Sequence, residues 1–404
     1  MKTDDILMCP GPNDIADRVL RAMIRPATAP GSPEFQEVFE QVHERLAQVF
    51  QTSNQVITVP GSGRTGLESA ILSVLEPGDP TLTITAGYFG SMAIRIITNA
   101  GGKADEISFP WGEPLDLERI EEKIAQGGYK LVTMVHNETS SGALYQEAGA
   151  VARMAHQHGA LFLLDAISSL GGAPLPTDEW EVDLCVSCSH KAMASPIGHG
   201  YVAVSDRAWS VMEQRKEPCR STFFNLLNWK AQPSEEAVGG RTHRRPQVVF
   251  SSVHVYYALH EALQMILEEG VEQRWNRHRI NAQAFREGIQ ALGLKPLAKP
   301  EIASPTVTCI PLPEGIRPAD FLQKLRAEHG IYTTRGLGPY RENAIRIGHM
   351  GVTAIPRCIL HTLYAMESVL ASFGYPVSPG AAVSRAGQVY AEAQQHQPEI
   401  GAVP

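Results

Sequence analysis

Short apolar runs alternate with amphipathic stretches along the first half of the chain. Strand-like runs fall at 56–59, 81–85, 131–135, 161–164, 184–187 and 201–204. Around them, apolar residues recur at helical spacing over 67–75, 90–99, 117–125 and 148–158. This alternation predicts an α/β architecture. The near-continuous apolar strands imply a mostly parallel sheet covered on both faces. Ligands on such sheets sit at the carboxyl ends of the strands. The candidate chemistry therefore lies in the loops after Val59, Thr85, Val135, Leu164 and Ser187.

Further along, the pattern changes. Residues 211–245 are irregular, charged and aromatic, with Gly239-Gly240, and read as an excursion from the domain. Helical periodicity returns over 253–269 and 272–292. After Gly293 come a strand at 306–310, a helix at 318–329, strands at 331–334 and 344–348, and a helix at 357–373. The expected division is an N-terminal arm (1–18), a large domain (19–270), a smaller C-terminal α+β domain (271–375) and a tail (376–404). Pro376, Pro379 and Gly380 punctuate that tail, which is expected to be mobile at its end.

Composition excludes several classes. Of 404 residues, 43% are hydrophobic and 19% charged, ordinary for a globular protein. A net charge of -8, with no Lys/Arg cluster among aromatics, argues against nucleic acid as a partner. No apolar run approaches the ~18 residues of a membrane span, so no membrane partner is expected. MKTDDILMCPGP has no signal-peptide core and GAVP is no targeting tripeptide. Six cysteines in so long a chain make no disulfide scaffold, and a reducing cytoplasm is expected. Cys185 and Cys188 form a C-x-x-C near His190 but lack a second pair at zinc spacing. They lie in an apolar run and read as core cysteines, with no metal expected.

Gly61-Ser62-Gly63-Arg64-Thr65-Gly66 matches G-x-G-x-x-G, the dinucleotide fingerprint. A ribose-gripping acid should follow at the end of the next strand, where this chain has Ala86-Gly87. What survives is a Ser/Gly loop opening a helix, whose free N–H groups and dipole favour one phosphate. Asp165 ends a greasy strand, as a metal ligand, a capping residue or the counter-charge to a buried cation. Lys191 follows another such strand, as a snorkelling surface residue or a desolvated amine competent for a Schiff base. A phosphate anchor, a carboxylate for a ring nitrogen and an imine-forming lysine together are what pyridoxal phosphate requires.

With His136-Asn-Glu-Thr-Ser-Ser-Gly142, Asp165-Ala-Ile-Ser-Ser-Leu-Gly-Gly172, Ser189-His-Lys191 and Arg346-Ile-Gly-His-Met-Gly351, the chain resembles the class V (fold type I) pyridoxal-phosphate aminotransferases. The likeness is strongest to the alanine/serine–glyoxylate group and runs from Pro10-Gly11-Pro12 to about Gly374. It implies a large domain with a mostly parallel seven-stranded sheet, a smaller C-terminal domain, and a homodimer with the active site at the subunit interface. By the resemblance, Lys191 would form the Schiff base and move the proton, and Asp165 would pair with the pyridine nitrogen. Ser62, Gly63, Arg64 and His190 would hold the phosphate. Phe89 and Ile167 would flank the ring, Thr139 would bond near its phenolic oxygen, and Arg346, with Gly11, would meet the substrate. Arg335 reads as a second carboxylate contact or a surface charge.

The implied reaction is ping-pong transfer of an amino group from a small amino acid of alanine or serine type to a small 2-oxo acid such as glyoxylate or pyruvate. Departures matter here. Many relatives have Gln at the position of His190, and the partner-subunit phosphate contact falls on Phe250, Ser251 or Ser252. Residues 26–35 lack the glutamine expected for (S)-ureidoglycine, which weighs against that alternative. A lyase or cysteine desulfurase on the same scaffold would need a catalytic thiol, for which Cys219 is the candidate.

Overall fold

A computed structural model describes residues 5–238, 241–244 and 252–396. Its centre is a seven-stranded sheet: β1 (Gln55–Gly61), β2 (Pro80–Thr85), β3 (Lys103–Ser108), β4 (Leu131–Val135), β5 (Leu161–Asp165), β6 (Leu184–Cys188) and β7 (Gly198–Val204). The order across the sheet is β1-β7-β6-β5-β4-β2-β3. β7 runs antiparallel to both neighbours and the remaining pairs are parallel.

The strands read as continuous apolar runs because each serves two cores. Leu82, Ile84, Val132, Met134, Phe162, Leu164, Cys185 and Tyr201 pack on one side. Ile57, Val59, Leu131, Leu161, Leu163, Leu184, Val186 and Val202 pack on the other. The period-2 alternation of the strand sends successive side chains to opposite faces, both of which helices cover. Cys185 is accordingly a buried core residue, and Cys188, three positions on, is buried as well.

Two elements of this layer carry weaker or overlooked signals. β3 is an edge strand, Lys-Ala-Asp-Glu-Ile-Ser, in which Ile107 alone is buried. Its polarity hides it from a hydrophobic pattern and also guards the open edge. The helix Pro33–Phe50 buries Phe35, Phe39, Val42, His43, Leu46, Val49 and Phe50. Ser32 caps it, accepting from the Phe35 N–H at 3.3 Å, with Pro33 in the first turn.

A third core forms around the helices Val271–Ala291, Pro318–His329 and Pro356–Ser372. They pack on a three-stranded antiparallel sheet in which Ala344–Gly348 lies between Val307–Pro311 and Thr334–Arg335. The run expected as one strand at 331–334 divides: Ile331–Tyr332 pairs in parallel with Ile6–Leu7, and Thr334–Arg335 joins the other sheet. Met8 thereby enters this core. Within the expected tail, Ala381–His396 is a helix that buries Ala382, Ala386 and Val389 against the same core. Their spacing is helical, but two alanines carry little hydrophobic signal. The 211–245 excursion contains the short helix Leu226–Trp229 and a hairpin of Gln232–Val238 with Arg241–Arg244. Phe250 and Ser251 lie outside the described residues, and Ser252 precedes the helix Val253–Glu269.

No helix among the described residues is long and apolar enough to cross a membrane. Gly200 of β7 sits where the helix Gly63–Val74 meets the sheet. A Cβ there would approach the Gly66 amide nitrogen to 2.7 Å and crowd the Ser62 carbonyl. Both obstacles are backbone, so Gly200→Ala should push the helix off the sheet and cost about 1–3 kcal/mol. Urea denaturation measures this, and an unchanged midpoint would show that the helix start yields freely.

Candidate active site

Five strand ends and one N-terminal segment meet at the carboxyl edge of the sheet. At β1 the chain turns through Gly61, whose φ of +136° favours glycine, into the helix Gly63–Val74. The Ser62 N–H donates to Thr65 Oγ1 at 2.9 Å, which tightens the turn. As at any helix start, the first N–H groups have no acceptor within the helix and point outward with the positive end of the dipole. A Cβ on Gly63 would come 2.7 Å from Ile167 Cδ1, so the Ile167 side chain lies directly against this cup. Gly66 has a different task, since a Cβ there would press on the Tyr201 carbonyl at 3.2 Å. The third glycine of the apparent dinucleotide motif serves helix–sheet packing. The Arg64 side chain is exposed and has no ion pair among the described residues.

Asp165 ends β5 and is 7% exposed. Its Oδ1 accepts from the Ile167 N–H at 2.9 Å. Burial pushes this carboxyl up to about 7, against the help of that hydrogen bond. Lys191, just beyond β6, donates from Nζ to the Pro10 carbonyl. Burial holds its amine below the usual lysine range, with Cys188 and Asp165 pulling the other way and Arg346 adding to the depression. Gly11 has φ +122°, and a Cβ there would overlap the lysine amine. The N-terminal segment is tied down on either side: the Gly348 N–H donates to Met8 O at 2.7 Å and the Asn13 N–H to His190 O at 3.0 Å. Burial lowers His190 to about 4, so its ring is neutral, and the buried Nδ1 has no hydrogen-bond partner among the described residues.

Arg346, in the middle strand of the small sheet, is 8% exposed. Its Nε donates to Arg335 O at 3.0 Å and Nη1 reaches Thr139 O at 3.5 Å. No carboxylate among the described residues pairs with it. Arg335 points elsewhere and meets Glu342 at 3.4 Å on the surface.

Glu138 is the residue that sequence reasoning passed over. It is buried, accepts from the Phe89 and Gly90 N–H groups at 3.0 and 3.3 Å, and takes the Ser140 hydroxyl at 2.6 Å. It therefore caps the helix Tyr88–Asn99 and holds the half-buried Phe89. The available signal was a lone acid amid small, uncharged polar residues that the fold buries. Cys219 lies elsewhere, donating to Leu72 O at 3.6 Å. Leu72 is nine residues along the helix from Gly63, roughly 14 Å from the cup at 1.5 Å per residue. A catalytic thiol there has no reach to Lys191.

These side chains fit pyridoxal phosphate. A helix start suits the ester, His190 Nδ1 has no hydrogen-bond partner among the described residues, and Asp165 is a buried acid with no ion pair among them. Phe89 and Ile167 present apolar surfaces for a ring. Among the described residues, no group of His, Cys, Asp and Glu is arranged to hold a metal.

The raised carboxyl of Asp165 has a consequence for the cofactor-free protein. Between about pH 4 and 7 the folded state keeps a proton that the unfolded state has released, so Asp165 makes stability fall as pH rises through that window and level off above it. Asp165→Asn should then stabilise the cofactor-free protein by up to ~4 kcal/mol above pH 7 and hardly at all near pH 4. Paired urea titrations across that range test this, and a parent–variant difference independent of pH would refute it.

Comparison with known proteins places the chain. The family model described as Aminotransferase class-V matches residues 26–340. The solved structure of ureidoglycine–glyoxylate aminotransferase from Bacillus subtilis superposes with a TM-score of 0.88 at 30% identity, covering 97% of this chain and 99% of that one. Pyridoxamine–pyruvate aminotransferase from Mesorhizobium loti gives 0.89 at 28%, with the same coverage. Alanine–glyoxylate aminotransferase of Mus musculus is 31% identical over 90% of this chain and 87% of its own length. The fold is that of these fold type I enzymes, and pyridoxal 5′-phosphate is the cofactor the family implies. The chain belongs to the class V aminotransferases and is a pyridoxal-phosphate-dependent transaminase.

Proposed function

We propose that the protein moves an amino group from a small amino acid of alanine or serine type to a small 2-oxo acid, glyoxylate or pyruvate, by a ping-pong route. The observation that carries this reading is Arg346, a buried guanidinium without a carboxylate partner among the described residues. Such a charge is costly alone and matches the α-carboxylate shared by every amino and 2-oxo acid. Relatives that act on alanine, ureidoglycine, pyridoxamine, glyoxylate and pyruvate support a small substrate.

In this reading Arg346 anchors the carboxylate, and the Thr139 carbonyl limits how the guanidinium turns. Ser62 and Gly63, with the Arg64 backbone and His190, hold the phosphate. Phe89, braced by Glu138, and Ile167, braced by Asp165, would offer apolar contacts to the ring. When bound, pyridoxal phosphate supplies an electron sink for charge developing at the substrate α-carbon, and Asp165 keeps its ring nitrogen protonated. Lys191 would hold the cofactor through Nζ, and its amine, kept below the usual lysine range, would serve as the base that takes a proton at the substrate α-carbon. Gly11 leaves room for that amine to swing.

A homodimer is proposed on the same footing. Tyr88 and Ile197 are large apolar side chains exposed in the segments that carry Phe89 and Lys191, where a second subunit would cover them. All six cysteines are free, which suits a reducing cytoplasm.

A half-reaction panel tests the substrate claim. Purified cofactor-loaded protein is mixed with alanine, serine and (S)-ureidoglycine, and the lysine-bound absorbance is followed to the pyridoxamine form. Alanine or serine should convert it fastest. Faster conversion by ureidoglycine replaces the donor, and no conversion by any small amino acid sinks the proposal. Arg346→Ala should lower kcat/KM for the best donor by about 10²-fold or more, the worth of roughly 3 kcal/mol of charge-assisted bonding. An unchanged value would remove the clamp.

A further inference from the structure

Behind the site, at the corner between two helices, lies a cluster that touches none of the reacting atoms. Glu269 ends the helix Val253–Glu269, Gly270 turns the chain with φ +85°, and the helix Val271–Ala291 begins. Its first two turns place Arg274, Arg277 and His278 inward. Glu269 bridges the two arginines, at 2.7 Å to Arg274 Nη1 and 2.5 Å to Arg277 Nε.

Their remaining donors all go to backbone carbonyls of loops that carry the chemistry. Arg274 Nε donates to Gly171 O at 3.0 Å, in the loop that follows Asp165. Arg274 Nη2 donates to Ala192 O at 2.7 Å, the residue directly after Lys191. Arg277 Nη1 donates to Gly351 O at 2.9 Å and Ala354 O at 2.8 Å, in the loop that follows Arg346. His278 completes the set: its Nδ1 lies 2.7 Å from Arg274 O, and its Nε2 accepts from the Gly351 N–H at 2.9 Å. One carboxylate thus orients two guanidinium forks, and the forks span three loops.

Stability alone is a weak reason for such a cluster, because buried ion pairs often contribute no more than apolar packing of the same volume. Geometry is a stronger one. The three loops leave different strands, two from the large sheet and one from the small, and no ladder links them there. A planar fork holds two acceptors at a fixed spacing, which a single ammonium cannot do.

We infer that Glu269, Arg274 and Arg277 are positioning residues that hold the Lys191 amine in register with Asp165 and Arg346, so that bonding of Lys191 to an aldehyde cofactor depends on them. The inference rests on the reading of Lys191 proposed above. In that bond-forming step the neutral amine nitrogen joins the aldehyde carbon, and both amine hydrogens leave with the aldehyde oxygen as water. A misplaced amine weakens this step but leaves the phosphate cup and the ring-nitrogen contact intact.

Two ligands separate these effects. Pyridoxal 5′-phosphate can bond to the lysine; pyridoxamine 5′-phosphate has no aldehyde and cannot. Dissociation constants of both are measured on the cofactor-free full chain, for the parent, Arg274→Lys, Glu269→Gln and Lys191→Ala. The parent should bind the aldehyde more tightly, and Lys191→Ala should abolish that preference. Should Lys191→Ala retain it, the reading of Lys191 and this inference fall together. With that control in place, Arg274→Lys should reduce the preference about tenfold while pyridoxamine 5′-phosphate affinity changes by less than about threefold. Glu269→Gln should shift it the same way, and decides the matter if Arg274→Lys does not fold. A preference unchanged in the variants, or both ligands weakened in step, would make the cluster a structural joint and overturn the inference.

Discussion

Buried charge lacking a partner is the constraint around which this molecule is arranged. Asp165 and Arg346 are each less than a tenth exposed, and neither forms an ion pair among the described side chains, although Lys191 acts on Asp165, and Glu138 on Arg346, from a distance. Burial alone would favour neutralising or replacing both. Each instead stands as half of a pair whose other half, on the proposed reading, arrives with cofactor or substrate. The folded protein carries that cost so that binding can release it.

The surrounding fold is built to keep these groups from relaxing. The sheet's alternating strands lock into cores on both faces, so its carboxyl edge is a rigid rim. Close approaches then pin the loops. Gly200 admits the helix that begins at the cup, and Gly348 admits the Cys9 backbone, so that the segment bearing Gly11 crosses above Lys191. Glu138 spends its buried carboxylate on backbone N–H groups of the Phe89 helix. Most restraints on the site are therefore hydrogen bonds to backbone, which fix position without supplying a competing counter-charge.

Much of the fold was legible because apolar periodicity is strong where a strand is covered twice. The helices 253–269 and 318–329 and the strand 344–348 read off with their observed limits. β3 escaped because an exposed edge has no apolar period, and Ala381–His396 because alanine marks a buried face only faintly. Pro33–Phe50 escaped despite a readable cap in Ser32-Pro33-Glu34. At the site, Lys191, Asp165 and Gly63 were visible as residues out of character with their surroundings. Arg64 is exposed, and because a helix start offers its backbone N–H groups to an anion, the contact expected of it falls to its main chain.

The sequence by itself determined the two-sided sheet, the loops at its carboxyl edge and the chemical types gathered there. These follow from periodicity and from polar residues placed where apolar ones are the rule, both local properties of the chain. Only the tertiary structure decided which groups lack partners and which backbone atoms hold them. Glu138 serves the Phe89 helix across 49 positions, Pro10 meets Lys191 across 181, and Arg274 braces Ala192 across 82. Partnership and burial are relations between segments far apart in the chain, and they exist only once the cores have brought those segments together.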